Sequence, residues 1–133
     1  MTPVHELRVA VTVDDYAEAL RFYHDALGLP VLQEWDHAGG LSGAILDAGR
    51  ATLEVLSAAQ TELVDGIEGG RSPAIRLALE VDDSAATADR LEAAGAKRLG
   101  GPVVTPWRHR NVRLEAPGAQ LTLFTVLEPT GPV

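Results

Sequence analysis

Arg8 and Arg76 occupy the same place in a segment written twice. Arg8-Val9-Ala10-Val11-Thr12-Val13-Asp14-Asp15 returns as Arg76-Leu77-Ala78-Leu79-Glu80-Val81-Asp82-Asp83, at an offset of 76 − 8 = 68. The same offset carries Leu53-Glu54-Val55-Leu56-Ser57 onto Leu121-Thr122-Leu123-Phe124-Thr125. A guanidinium is always charged and presents a planar fork of N–H donors, so it suits a carboxylate, phosphate or enolate-like oxygen. Glu54 could pair with the two arginines as an ion cluster, leave one of them open to a ligand, or act as a general base. The arginines are expected to lower its pKa, which weighs against the base. Trp35 and Trp107, the only tryptophans, each stand two residues before a histidine, in Trp35-Asp36-His37 and Trp107-Arg108-His109. Facing a cleft, they would be stacking walls for a flat ligand; facing inward, they would close the ends of a sheet. His37 and His109 are candidates for proton transfer or metal ligation, or are solvated loop residues. His5 and His24 carry a weaker signal. With no cysteine in the chain, thiolate nucleophiles, thiolate metal sites and disulfides are excluded.

The elements that must position these groups also come in two sets. Leu7, Val9, Val11 and Val13 alternate with Glu6, Arg8, Ala10 and Thr12, the period of a half-buried strand. Asp14-Asp15 caps a helix in which Tyr16, Leu20, Tyr23 and Leu27 share a face, ended by Gly28 and Pro30. Strands over Val31–Asp36, Leu41–Asp47 and Thr52–Ser57 complete module one, at about residues 5–58. Residues 59–72 contain Asp65-Gly66 and Glu68-Gly69-Gly70 and read as a linker. Module two, about 73–128, repeats the order. It has a strand to Val81, a helix capped by Asp82, Asp83 or Ser84, then strands over Val103–Pro106, Asn111–Glu115 and Gln120–Leu127. Residues 129–133 form a tail. Each helix should cover one sheet face. The other face, with Arg8, Ala10, Thr52, Glu54 and Leu56 from one copy and Arg76, Ala78, Thr122 and Phe124 from the other, is left to line a groove.

A chain of 133 residues that is 46% hydrophobic fits one domain. Its apolar runs are far too short for a membrane span, and Met1–Glu6 lacks the layout of a secretory signal, so a cytoplasmic protein without membrane contact is expected. A net charge of −8 argues against nucleic acid as a partner.

The doubled strand–helix–three-strand plan, the strand–Asp–Asp–helix junction and the helix end Arg21-Phe22-Tyr23-His24-Asp25-Ala26-Leu27-Gly28-Leu29 resemble the vicinal oxygen chelate superfamily. That superfamily includes glyoxalase I, extradiol dioxygenases and the fosfomycin and bleomycin resistance proteins. The resemblance spans about residues 6–127 and implies an α+β fold of two tandem βαβββ modules, with curved mixed sheets around a groove and helices on the outer face. In the superfamily's metalloenzymes, a divalent metal is held from the first and last strands of each module. Alignment puts Arg8, Glu54, Arg76 and Thr122 at those positions. Only Glu54 is an ordinary ligand, and two guanidiniums would repel a dication, so no metal and no other cofactor is expected.

The reading that follows is metal-independent binding or sequestration of a small, partly aromatic organic molecule, such as an antibiotic or secondary metabolite, as in the bleomycin-resistance branch. Arg8, Trp35, Glu54, Arg76, Trp107, His109, Thr122 and Phe124 are the expected ligand-binding residues. The resemblance also implies a homodimer, which would cover groove residues such as Leu56 and Phe124. One alternative is a metal-dependent lyase, isomerase or dioxygenase in which Glu54 joins His5 or His109. The other is a metal-free enzyme with Glu54 as base and an arginine on the enolate.

Overall fold

The structure, a computed structural model, describes residues 3–127. The element order is β1 (Glu6–Val13), α1 (Tyr16–Leu20), β2 (Val31–His37), β3 (Leu41–Ala48), β4 (Ala51–Ser57), α2 (Ala58–Glu68), β5 (Ile75–Glu80), α3 (Ser84–Ala93), β6 (Lys97–Val104), β7 (His109–Ala116) and β8 (Ala119–Val126). The expected tail at 129–133 lies outside the described residues. All eight strands join one curved, open sheet in the order β2-β3-β4-β1-β5-β8-β7-β6. Each copy of the repeat therefore supplies four adjacent strands, and the copies meet edge to edge within one chain through β1 and β5.

The register of that seam carries the repeat into three dimensions. β1 and β5 run antiparallel with Arg8 opposite Ala78, Val9 opposite Leu77 and Ala10 opposite Arg76. Adding 68 to Val9 returns its own partner, Leu77, so the internal two-fold axis passes there. The flanking parallel pairs obey the same rule, with Ala10 beside Glu54 on β4 and Ala78 beside Thr122 on β8. Strand periodicity then puts Arg8, Ala10, Glu54 and Leu56, and their mates Arg76, Ala78, Thr122 and Phe124, on one face.

The opposite face is the apolar one. In module one Val11, Val13, Leu46 and Val55 pack under Tyr16, Ala19, Leu20, Tyr23 and Leu29; in module two Val81, Val112, Leu114 and Leu123 pack under Ala88 and Leu91. Each large side chain removed from water here contributes on the order of 1.5–3 kcal/mol. The helices start where the aspartates foretell: Asp15 accepts the Glu18 N–H at 3.0 Å and Asp83 that of Ala86 at 3.0 Å.

Three local departures have physical causes. After Leu20 the first helix continues as a π-helical turn over Arg21–Ala26, with the Leu27 N–H reaching the Phe22 carbonyl at 2.9 Å. The wider turn rotates Leu27 off the expected apolar face to 61% exposure, and Leu29 packs instead. β6 begins at Lys97, ahead of the expected Val103, because Gly100-Gly101-Pro102 reads as a turn but sits inside the strand. The connection between modules contains an 11-residue helix, α2, whose N-cap Ser57 accepts the Gln60 N–H. Whereas α1 and α3 cover the outer face, α2 lies over the groove. Its last turn can reach β6 because residue 100 is glycine: a β-carbon there would stand 2.0 Å from the Glu68 carbonyl oxygen.

Candidate functional site

A cavity of about 230 Å³ opens on the groove face. Every residue expected to bind a ligand lines it: Arg8, Trp35, Glu54, Arg76, Trp107, His109, Thr122 and Phe124. Ala78 on β5 lines it, and the equivalent Ala10 on β1 lies on the same sheet face, each only a few per cent exposed. Small residues there leave room for the longer side chains from β1, β4, β5 and β8 to converge above them.

The two arginines meet different fates. The Arg8 Nε donates to Glu6 Oε2 at 2.9 Å, and its guanidinium carbon stands 4.8 Å from the centre of the Phe124 ring. Glu6 is itself fixed by the Thr52 hydroxyl at 2.7 Å. Arg76 is buried and donates through Nη1 to Thr122 Oγ1 at 3.0 Å. Glu54 closes on neither: among the described residues its carboxylate has no hydrogen bond and no ion pair within 4 Å. The sealed Arg–Glu–Arg cluster is thus not what forms, although the three groups share one cavity. Burial pushes the Glu54 carboxyl above its usual range, helped by Glu68 and Glu6, and the opposing pull of Arg76 and Arg8 does not cancel it. This reverses the direction expected from the arginines alone, because desolvation of a carboxylate outweighs charges that do not touch it.

Trp35 does both of the things weighed for it. It is 5% exposed in a core cluster with Ala10, Ile45 and Leu56, and it also forms a wall of the cavity. It lies flat against Gly43 on β3, where a β-carbon would stand 2.2 Å from Trp35 Cζ2. Across the cavity, His109 stacks on Phe124 with ring centres 5.2 Å apart. Burial, with the nearby Arg8 charge, pulls the His109 pKa down to about 4, so its imidazole is neutral at physiological pH. The unfolded chain takes up that proton near pH 6.5. Between pH 6.5 and 4 the unfolded state therefore binds more protons, and stability falls as pH drops through this window. Glu54 acts with the opposite sign above its unfolded pKa. Comparing the pH dependence of urea midpoints in the wild type and His109→Phe isolates the histidine, and the variant should lose the part of the decline that lies between pH 6.5 and 4.

The sequence reading missed the wall that α2 supplies. Gln60, Val64 and Glu68, spaced by four, face the cavity. Glu68 accepts Arg113 Nη2 at 2.8 Å and Asn111 Nδ2 at 2.6 Å, and Asp65 accepts Arg113 Nη1 at 2.6 Å. Arg113 is fully buried. Burial raises the Asp65 pKa, but hydrogen bonds from Ser72 and Arg113 outweigh it and hold the carboxyl below its ordinary value. Leu56 and Phe124, expected to lie open without a second chain, are each 3% exposed within the single chain. That ground for a homodimer is absent. His5 sits apart, bonded to Asp82 at 2.6 Å, and His37 and His24 do not line the cavity.

A duplicated βαβββ unit with an open eight-stranded sheet and a cavity on the groove face defines a protein of the vicinal oxygen chelate class. The family model described as Glyoxalase/Bleomycin resistance protein/Dioxygenase superfamily matches residues 7–131, and the chain belongs to that family. Curated protein sequences give no match. Among solved structures, a hypothetical protein of Bacillus halodurans C-125 is 18% identical, covering 98% of this chain and 99% of its own, with a TM-score of 0.69. Methylmalonyl-CoA epimerase of Mycobacterium tuberculosis is 24% identical over 95% of this chain and 90% of its own, TM-score 0.67. A Streptomyces coelicolor methylmalonyl-CoA epimerase variant, in complex with 2-nitronate-propionyl-CoA, is 18% identical over 95% of this chain and 100% of its own, TM-score 0.65. These likenesses establish a shared fold.

The metal implied by some members of the family does not fit the residues present. The four strand positions hold Arg8, Glu54, Arg76 and Thr122, and a guanidinium has no lone pair to donate. Among the described residues no group of three or more His, Asp or Glu side chains could hold an ion. Of the alternative set, His5 lies outside the cavity, whereas His109 and Glu54 both line it without a third such ligand placed to hold an ion with them among the described residues.

Proposed function

We propose that this protein binds a small, partly aromatic organic molecule with an anionic or carbonyl oxygen, without a divalent metal. The observation that carries the reading is the pairing of two guanidiniums with aromatic walls inside one cavity. Arg76 uses one N–H on Thr122 and has the rest of its fork for a ligand oxygen, while Trp35, Phe124 and His109 offer ring surfaces. The size narrows the class suggested by the bleomycin-resistance resemblance. Pockets for drug-sized ligands usually measure about 300–1,000 Å³, so a cavity of about 230 Å³ suits a metabolite or one ring of a larger antibiotic. The test is a titration of tryptophan fluorescence with small aromatic acids. Saturable quenching is expected, weakened about 10- to 100-fold by Arg76→Met, the usual cost of a charged hydrogen bond. A flat response to every acid overturns the proposal.

A second reading is favoured by one observation, the Glu54 carboxylate that lies unpaired in the cavity with its pKa raised. Metal-free proton abstraction next to a carbonyl would use Glu54 as base, with Arg76 on the enolate oxygen. Solvent deuterium should then enter the α-carbon of a bound carbonyl acid, and Glu54→Gln should abolish this. Exchange that survives Glu54→Gln removes this residue as the base.

A further inference from the structure

Resting on the binding reading above, we infer that the ligand carries a hydrogen-bond donor beside its acidic oxygen, as an apolar or aromatic hydroxy or amino acid does, and that Glu54 reads that donor. The internal two-fold axis makes the argument, because it creates two equivalent positions and only one is left open. At Ala78 the flanking pair is Arg8 and Thr122. Both are occupied: Arg8 is held by Glu6, and the Thr122 hydroxyl lies between Arg76 Nη1 and Glu68 Oε1. At Ala10 the flanking pair is Arg76 and Glu54. Their backbones are two strand spacings apart, roughly 9–10 Å, and their charged ends are not closed on each other. A cavity that presents an acid-seeking fork and an unpaired carboxylate across one alanine is complementary to a molecule with an acceptor and a donor close together.

Other groups in the same wall agree. Trp35 Nε1, Gln60 Oε1 and Asn111 Oδ1 are buried without a partner, on residues at most 5% exposed that line this cavity. The Asn111 orientation is fixed, since its Nδ2 donates to Glu68. Two of the three are acceptors, so the surplus again calls for donors on the ligand. A dicarboxylate would set its second charge against Glu54, a simple amine would meet two guanidiniums, and an acid without a donor would leave Glu54 desolvated and unpaired.

The experiment is calorimetric titration with four probes of similar size: phenylacetate, mandelate, phenylglycine and benzyl alcohol. Mandelate or phenylglycine should bind at least tenfold tighter than phenylacetate, and benzyl alcohol weakest. Glu54→Leu should erase the preference and leave phenylacetate binding equal or tighter; should that variant not fold, the wild-type preference decides alone. Phenylacetate binding as tightly as both donor-bearing acids overturns the inference while the binding reading stands. Failure of all three acids to bind overturns both.

Discussion

Arg113→Met is expected to lower the free energy of unfolding by about 3–5 kcal/mol, the usual cost of removing one member of a buried ion pair. The size follows from what is left behind. Arg113 is fully buried on β7 and binds Asp65 and Glu68 on α2, and Glu68 is 3% exposed. Without the guanidinium, the buried Glu68 carboxylate is left with Asn111 as its remaining strong donor, while part-exposed Asp65 keeps Ser72. The cost belongs to the orphaned charges more than to the lost contact, so the double variant Arg113→Met/Glu68→Leu should recover a large part of it. Urea denaturation followed by circular dichroism measures both. A loss below about 1 kcal/mol for the single variant would show that α2 is not anchored through this residue.

Gly43→Ala should cost about 1–3 kcal/mol, the range for overpacking a well-filled core, and should also change the ligand site. The added methyl would stand 2.2 Å from Trp35 Cζ2 and 2.5 Å from Cε2, in a ring that also contacts Ile45 and Leu56. Neither the strand backbone nor a buried indole can give by that much in place, so Trp35 must leave the wall. Its emission should shift to the red as water reaches the ring, and quenching by aromatic acids should weaken. Unchanged emission would mean that the indole does not rest on Gly43.

Much of this arrangement was legible in the residues. The strict alternation of Leu7, Val9, Val11 and Val13 with Arg8 and Ala10, and its echo 68 residues on, placed both arginines, Glu54, Thr122 and Phe124 on one face, where the structure also puts them. Three things were not legible. The buried face of α2 is Gln60, Thr61, Val64 and Glu68, so it carries almost no hydrophobic periodicity, and Asp65-Gly66 looks like a turn. The Ser57 cap and the good helix formers Ala58, Ala59, Gln60, Glu62 and Leu63 were the available signal. Asn111 and Arg113 alternate with Val112 and Leu114 and so read as a solvent face; only the unseen helix makes that face an interior. The pKa of Glu54 depends on how far its carboxylate stands from the arginines and from water, a distance that strand spacing does not set.

Helix α2 also has a consequence for handedness. A cleft made of two matched halves would admit a guest in two poses related by a half-turn with equal ease, whatever the hand of the guest. A helix inserted once per chain, with Glu54 on one side and Thr122 on the other, removes that degeneracy. One pose is retained, with acid group, donor and ring each assigned a different wall, and three distinct contacts of that kind select one enantiomer of a guest whose stereocentre stands next to its acid group.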